Sequence, residues 1–273
     1  MLDSTEEVLQ ECRALLGGTG REEGEVGLLA SLSRLFAALA VRGVLDLAYP
    51  RFAELYGRFL QELGRGNPDG TEEGLTMIYA YLHGCDMSYD PEERAMLDAR
   101  GGYWCHAGGL SPLWRAAPYI HRETRGVDYG AGNGLQGLLL QHLYPHRLTT
   151  LVELSGPMIE KGRALQGMLG IPAERIEWVH GSVEEVSPRA FDFIYLYRPL
   201  RPEGEAGRRF YEWFAGELLH AEGDVTIFSV ADCLREFLDS RRFAVFYDDG
   251  QLTCFSKVPG KKRPTAPPAR GGN

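Results

Sequence analysis

Through the first hundred residues the apolar positions fall three and four apart, whereas after residue 125 they gather into short runs separated by helix-length segments. Leu28, Leu32, Leu35, Phe36 and Leu39 share one helical face, as do Phe52, Leu55, Tyr56, Phe59, Leu60 and Leu63, and then Leu75, Ile78, Tyr79 and Leu82. Breaks fall at Pro50 and across Gly64 to Gly70, while Asp90-Pro91-Glu92-Glu93 offers a capping acid, a first-turn proline and a second acid three residues on. This pattern predicts an all-helical bundle over residues 1–100, whose leucines and aromatics are core packing rather than a cofactor box. Its role is either a cap over a substrate or a dimer interface.

The second half reads differently. Strand-like runs at Gly126–Tyr129, Leu148–Leu154, Ile176–His180, Phe191–Tyr197 and Val225–Val230 alternate with helical segments, which is the α/β pattern of a mostly parallel sheet. Phe243–Tyr247, the turn residues Asp248-Asp249-Gly250 and then Leu252–Val258 predict an antiparallel C-terminal hairpin. Residues 101–258 thus form the α/β domain, and 259–273 a disordered basic, proline-rich tail with nothing to bury.

Composition narrows the class. The 44% hydrophobic content is ordinary for a globular chain, the acidic N-terminus does not resemble a signal peptide, and no stretch is expected to approach a membrane span. Five scattered cysteines give no metal or redox motif, so a cytoplasmic protein with no bound metal is expected. His142 and His146 have helical spacing across Pro145 and are read as surface residues. The formal net charge of −9 makes nucleic acid a disfavoured partner.

The chemistry centres on Val127-Asp128-Tyr129-Gly130-Ala131-Gly132-Asn133-Gly134-Leu135-Gln136-Gly137, a short strand with an acid, three alternate glycines and an apolar helix. Glycines at every second position let a ligand approach the backbone, and such a turn is expected to aim free N–H groups at it. Two frames fit. Gly132, Gly134 and Gly137 match the dinucleotide fingerprint, with Glu153 placed to hold a ribose, and would make the protein a nicotinamide-dependent oxidoreductase. The wider string resembles the first motif of class I S-adenosylmethionine-dependent methyltransferases, with Asp128 two residues before Gly130, Gly132 and Gly134. S-adenosylmethionine has no pyrophosphate but carries a cationic amino group, which suits a carboxylate at the strand end. In this frame Gly137 becomes a close-packing residue of the following helix.

Further resemblances follow in the family's order. They imply that Glu153, at the end of Leu151-Val152-Glu153-Leu154-Ser155, accepts from the ribose hydroxyls and that Met158 packs on the adenine, with Ala131 and Leu154 beside them. After the third strand, Gly181-Ser182-Val183 stands where the family often carries an aspartate near the adenine, with Ser182 as its substitute. The fourth strand ends in Tyr195-Leu196-Tyr197-Arg198, which the resemblance places beside the transferable methyl; Tyr195, Tyr197 and Arg198 are the candidates for lining the acceptor pocket. Gly101-Gly102-Tyr103-Trp104-Cys105-His106-Ala107-Gly108-Gly109 is either an interdomain linker or a lid closing over cofactor or substrate, with Tyr103 or Trp104 stacking on it and His106 as a candidate base, before a helix capped by Ser111-Pro112. The expected fold is a Rossmann-like class I methyltransferase sheet behind an N-terminal all-helical domain. The expected reaction is methyl transfer from S-adenosyl-L-methionine to an oxygen or nitrogen of a small organic acceptor. A protein acceptor, a homodimer, the oxidoreductase reading and a catalytically inactive binding module remain as alternatives.

Overall fold

Local end chemistry sets the helices of the first half. Ser4 opens α1 (Thr5–Gly17) with a reciprocal cap: its hydroxyl accepts from the Glu7 amide while the Glu7 carboxylate accepts from the Ser4 amide. α2 (Glu23–Arg42) ends at Gly43, whose φ of 60° only glycine adopts cheaply. After α3 (Phe52–Gly64), Asn67 caps α4 (Pro68–His83), so Gly70 belongs to the helix rather than to the break. α5 (Pro91–Ala99) carries the expected box between Asp90 and Glu93. This computed structural model describes residues 4–84, 89–103 and 108–258; the C-terminal tail and the segment Trp104 to Ala107 lie outside the described residues.

Seven strands follow: β1 (Arg125–Tyr129), β2 (Leu148–Glu153), β3 (Ile176–His180), β4 (Phe193–Tyr197), β5 (Thr226–Val230), β6 (Phe243–Asp248) and β7 (Leu252–Lys257). They form one sheet in the order β3-β2-β1-β4-β5-β7-β6, parallel except for β7, which runs antiparallel to both neighbours. The helices between them are the short α6 (Ser111–Arg115), α7 (Leu135–Leu143), α8 (Gly156–Met168) and α9 (Glu205–Leu219). This is the Rossmann-like methyltransferase sheet, with its antiparallel C-terminal hairpin, behind a helical N-terminal region.

The period of two along each strand decides which side chains meet which layer. Val127 and Tyr129 of β1 and Ile194 and Leu196 of β4 point to the core shared with Phe210 and Phe214 of α9. Tyr195 of β4 and Phe228 of β5 point the other way, into one continuous core with Leu138 and Leu139 of α7 and with Leu32, Phe36, Phe59, Ile78 and Tyr79 of the N-terminal helices. Asp128 lies between Val127 and Tyr129, so it faces the side that the N-terminal helices cover.

Three expectations are corrected here. α2 is long and apolar enough to cross a membrane by length and composition, against the expectation that no stretch approaches a span; ten of its residues are instead buried in the core. Ser111 does not cap α6: Leu110 holds the N-cap position without a side-chain bond, and Pro112 sits in the first turn. His142 is exposed, but His146 is buried because α7 ends before Pro145; its ring bonds the Tyr144 carbonyl and the Thr149 hydroxyl, and burial pulls its pKa down.

Arg115 fastens the two halves. Its guanidinium lies 3.9 Å from the Trp114 ring centroid and 3.6 Å from that of Tyr247 in the hairpin, and it bonds Glu22 before α2 at 3.1 Å. Arg115→Ala is expected to lower unfolding stability by about 2 kcal/mol through loss of both ring contacts. Urea denaturation checks this, and an unchanged midpoint would show that the sandwich carries no weight.

Candidate active site

The glycine loop is built by backbone contacts to β2. Gly130, Gly132 and Gly134 have φ of 75°, 58° and 70°. The amides of Gly130 and Ala131 both donate to the Val152 carbonyl at 3.0 Å, and that of Gly134 donates to Ala131 at 2.8 Å. The Gly132 amide donates to Glu153 Oε2 at 2.8 Å, and the Leu135 amide to Asn133 Oδ1 at 3.2 Å. These five N–H groups are all engaged inside the protein, which corrects the expectation that the turn presents free donors.

Beside the loop lies a cavity of about 590 Å³, within the usual range for a small-molecule site. Its lining brings together Asp128, the stretch Gly130 to Gly132, Glu153, Leu154, Met158, the stretch Gly181 to Val183, Tyr103, Tyr195 and Tyr197, from segments far apart in sequence. Gly134 stands behind the lining, where a Cβ would meet Trp178 at 2.5 Å and Leu151 at 2.8 Å. Gly137 packs likewise, with a Cβ position 2.4 Å from Leu151.

Two carboxylates mark the cavity floor. Asp128 is 3% exposed, and its register partners are Leu151 and Tyr195. Burial, reinforced by the Glu153 charge and opposed by the Gly137 amide, pushes its pKa up to about 7. Glu153 accepts from Gly132 and, through Oε1, from the Ser155 amide at 2.8 Å; burial raises its pKa while these amides lower it. A cation is the ligand group these acids accommodate, and a pyrophosphate is not. With the loop amides already bonded, the site fits S-adenosylmethionine and not a dinucleotide.

At the far end Met158 is buried with Tyr89 and Leu97, and Leu154 packs against them. This apolar slot has the character an adenine needs. Tyr89 and Leu97 were not legible beforehand, since α5 reads as one more bundle helix; a serine contact holds it here, the Ser155 hydroxyl donating to Glu93 Oε1. Ser182 lines the slot, but its hydroxyl accepts from the Glu184 amide at 3.5 Å as a helical cap, while its amide donates to Glu185.

The opposite end is aromatic. Tyr195 is buried and its hydroxyl pKa is pushed well above the ordinary tyrosine value, so it stays neutral. Tyr197 is half-buried at the end of β4. Gly102 bridges to Leu200, the Arg201 amide donates to Gly101, and the Tyr103 ring sits 5.5 Å from the Arg198 guanidinium and 5.2 Å from that of Arg201. Gly108 lies so close over Tyr195 that a Cβ would fall 1.9 Å from the tyrosine oxygen. His106, the candidate base, lies outside the described residues. A second cleft of about 680 Å³ adjoins this end, lined by Arg198, Arg208 and Arg235, by the acids Glu203, Asp232, Glu236 and Asp248, and by Ala231 among others.

No protein-family model matches the chain. Over 73 residues it is 36% identical to the ribosomal RNA small subunit methyltransferase G of Pseudomonas entomophila, covering 26% of this chain and 32% of that protein. Over 201 residues it is 28% identical to the protein of the same name from Chromohalobacter salexigens, covering 63% and 86%. The chain thus spans about a third of the first relative's length and most of the second's. Among solved structures, an RNA methyltransferase from Salinibacter ruber in complex with S-adenosyl-L-homocysteine aligns with 66% of this chain and 97% of its own at 17% identity and a TM-score of 0.39. TrmN from Thermus thermophilus aligns with 55% and 48% at 20% identity and a TM-score of 0.41.

The two sequence relatives overturn the expectation that nucleic acid is disfavoured, and with it the small organic acceptor, since both are named for RNA. The reason for the misreading is physical. A net charge of −9 averages over the whole surface and says nothing about where charges of either sign lie.

Proposed function

We propose that this class I S-adenosylmethionine-dependent methyltransferase passes its methyl group to RNA in the cytoplasm, with small-subunit ribosomal RNA the first substrate to try. The observation that carries this reading is that both sequence relatives are named for ribosomal RNA; the arginine segment is secondary, because Arg198, Arg201 and Arg209 are ion-paired with Glu203, Asp98 and Glu205. The segment follows directly from β4, whose end the resemblance places beside the methyl, and its side chains line both cavities: Arg209 that beside the glycine loop, Arg198 and Arg208 the adjoining cleft, where Glu203, Asp232, Glu236 and Asp248 stand with them. Phosphates position an RNA through arginines while the base enters the site.

The cleft has a second mark of use. Among the described residues, the non-glycine residues with left-handed backbones are Arg198 (φ 39°) and Ala231 (φ 51°). They follow Tyr197 and Val230, which are paired across β4 and β5, and both line the cleft. Strain of this kind persists where the surroundings hold a functional geometry.

When bound, S-adenosylmethionine supplies an electrophilic methyl on a sulfonium. Asp128 would take its ammonium group, Glu153 its ribose hydroxyls, and the Met158, Tyr89 and Leu97 slot its adenine. Tyr195, neutral throughout, serves as a hydrogen-bond donor and wall rather than a base. Tyr197 and Pro199 line the end at which the acceptor atom must be aligned with the methyl, and that alignment with exclusion of water is the larger part of the work.

The test is transfer of a labelled methyl group from the cofactor. Label is expected in protein-free ribosomal RNA or small subunits, falling as salt rises. Arg208→Glu, at an exposed position of the cleft, is expected to reduce that label by about tenfold or more while leaving S-adenosylhomocysteine affinity unchanged. Label confined to peptides or small metabolites would sink the proposal.

A further inference from the structure

Gln136, on the first turn of α7, carries an amide with only half of its bonding met. It is 2% exposed, its Oε1 accepts from the Tyr79 hydroxyl of α4 at 2.7 Å, and its Nε2 has no partner among the described residues. The side chain lines the cofactor cavity together with Asp128 and the α4 terminus, His83 and Gly84. With the Tyr79 hydroxyl donating to Oε1, the NH₂ group is turned away from that hydroxyl. A buried N–H₂ group without an acceptor costs free energy that an arriving acceptor recovers.

The amino-acid end of the cofactor supplies such an acceptor. It is a zwitterion, and Asp128 answers only its ammonium half. Its carboxylate must lie near two acids, Asp128 and Glu153, where an unmatched negative charge is repelled. The usual donors for it, the loop amides from Gly130 to Gly132 and at Gly134 and Leu135, are already bonded to Val152, Glu153, Ala131 and Asn133. Gln136 Nε2 is a buried donor left without a partner, in a residue that lines this cavity.

We propose that Gln136, oriented by Tyr79, binds the α-carboxylate of the cofactor, so that α4 of the N-terminal helical region completes the cofactor site. Asn133 strengthens the connection: its Nδ2 donates to the Leu82 carbonyl at 2.7 Å, tying the glycine loop to the same helix. Gln136 contacts the cofactor directly, and Tyr79 is a positioning residue that acts through it. The N-terminal helices thereby gain a role in cofactor recognition, distinct from covering an acceptor or pairing chains.

The inference rests on the cofactor being S-adenosylmethionine, and a pair of ligands separates the two. S-adenosylhomocysteine carries the amino-acid end; 5′-methylthioadenosine has the same thioether nucleoside without it. Calorimetry on the full chain is expected to show Gln136→Leu losing about tenfold in affinity for S-adenosylhomocysteine and little for methylthioadenosine. Gln136→Glu, which keeps the shape and sets a carboxylate against a carboxylate, is expected to lose more of the first and again little of the second. Tyr79→Phe should show the same selectivity at smaller size, because the amide is then free to turn. Equal losses for both ligands, or an unchanged S-adenosylhomocysteine affinity in Gln136→Leu, would overturn the inference alone. Wild-type protein that binds neither ligand would overturn the cofactor assignment and this inference with it.

Discussion

Asp128→Ala is expected to weaken S-adenosylhomocysteine binding by about tenfold or more while leaving the fold intact. The carboxylate is buried on the face covered by α4 and α7, where Glu153 faces it from β2, Tyr195 from β4, and the Gly137 amide donates to it. In so dry a place its interaction with an ammonium group is worth far more than in water. The sign of the pH dependence follows from the raised pKa of about 7. Below that value Asp128 is neutral and cannot pair with the cation; above it the pair forms. Affinity should therefore rise between about pH 6 and 8, by at most about tenfold per unit, and Asp128→Asn should flatten the rise. Stability runs the other way. A carboxyl whose folded pKa lies above its ordinary 3.8 stabilises the fold below that ordinary value, and loses this contribution as pH rises through about 7. Removing it at pH 8 should then leave the melting temperature unchanged or higher. A folded variant whose ligand affinity matches wild type would remove Asp128 from the site, and a lower melting temperature at pH 8 would contradict the stability expectation.

Gly134→Val is expected to destabilise the protein by about 4 kcal/mol and to abolish cofactor binding, the sum of a left-handed backbone and an overpacked contact. Its φ is 70°, and its Cβ would enter the space held by Trp178 and Leu151. Gly132→Ala is the matched control. Gly132 has a similar φ of 58° but open space around its Cβ, so only the backbone cost of about 1 kcal/mol should remain. Chemical denaturation of the two variants would reveal the difference, and equal losses would show that the close packing behind the loop does not matter.

Much of the fold was written in local pattern. The strands followed from apolar runs, and the hairpin from Asp248-Asp249-Gly250, because strand periodicity and turn chemistry are properties of a few neighbouring residues. The acid and glycine spacing from Asp128 to Gly134 was equally legible, since a loop that a ligand approaches must omit side chains at fixed positions. What escaped depends on contacts between distant segments. Tyr89 and Leu97 join Met158 only because α5 folds back over the sheet. Gly162 looks like a casual glycine within a helix, yet a Cβ there would lie 2.1 Å from Trp178 and 2.7 Å from the Asn133 carbonyl, so it lets α8 pack behind the loop. The state of the loop amides was also hidden, because Val152 and Glu153, which occupy three of them, lie a strand away. The acceptor was misread for a different reason: net charge carries no information about where on the surface the charges lie.

The occupant of the cavity beside the glycine loop decides which chemistry the protein performs. Titration calorimetry of the wild-type chain with S-adenosylhomocysteine and, separately, with reduced nicotinamide dinucleotides tests this directly. The arrangement of Asp128, Glu153 and the engaged loop amides predicts a one-to-one heat signal with the thioether and none with the dinucleotides. Saturable binding of a nicotinamide dinucleotide with no response to S-adenosylhomocysteine would contradict it.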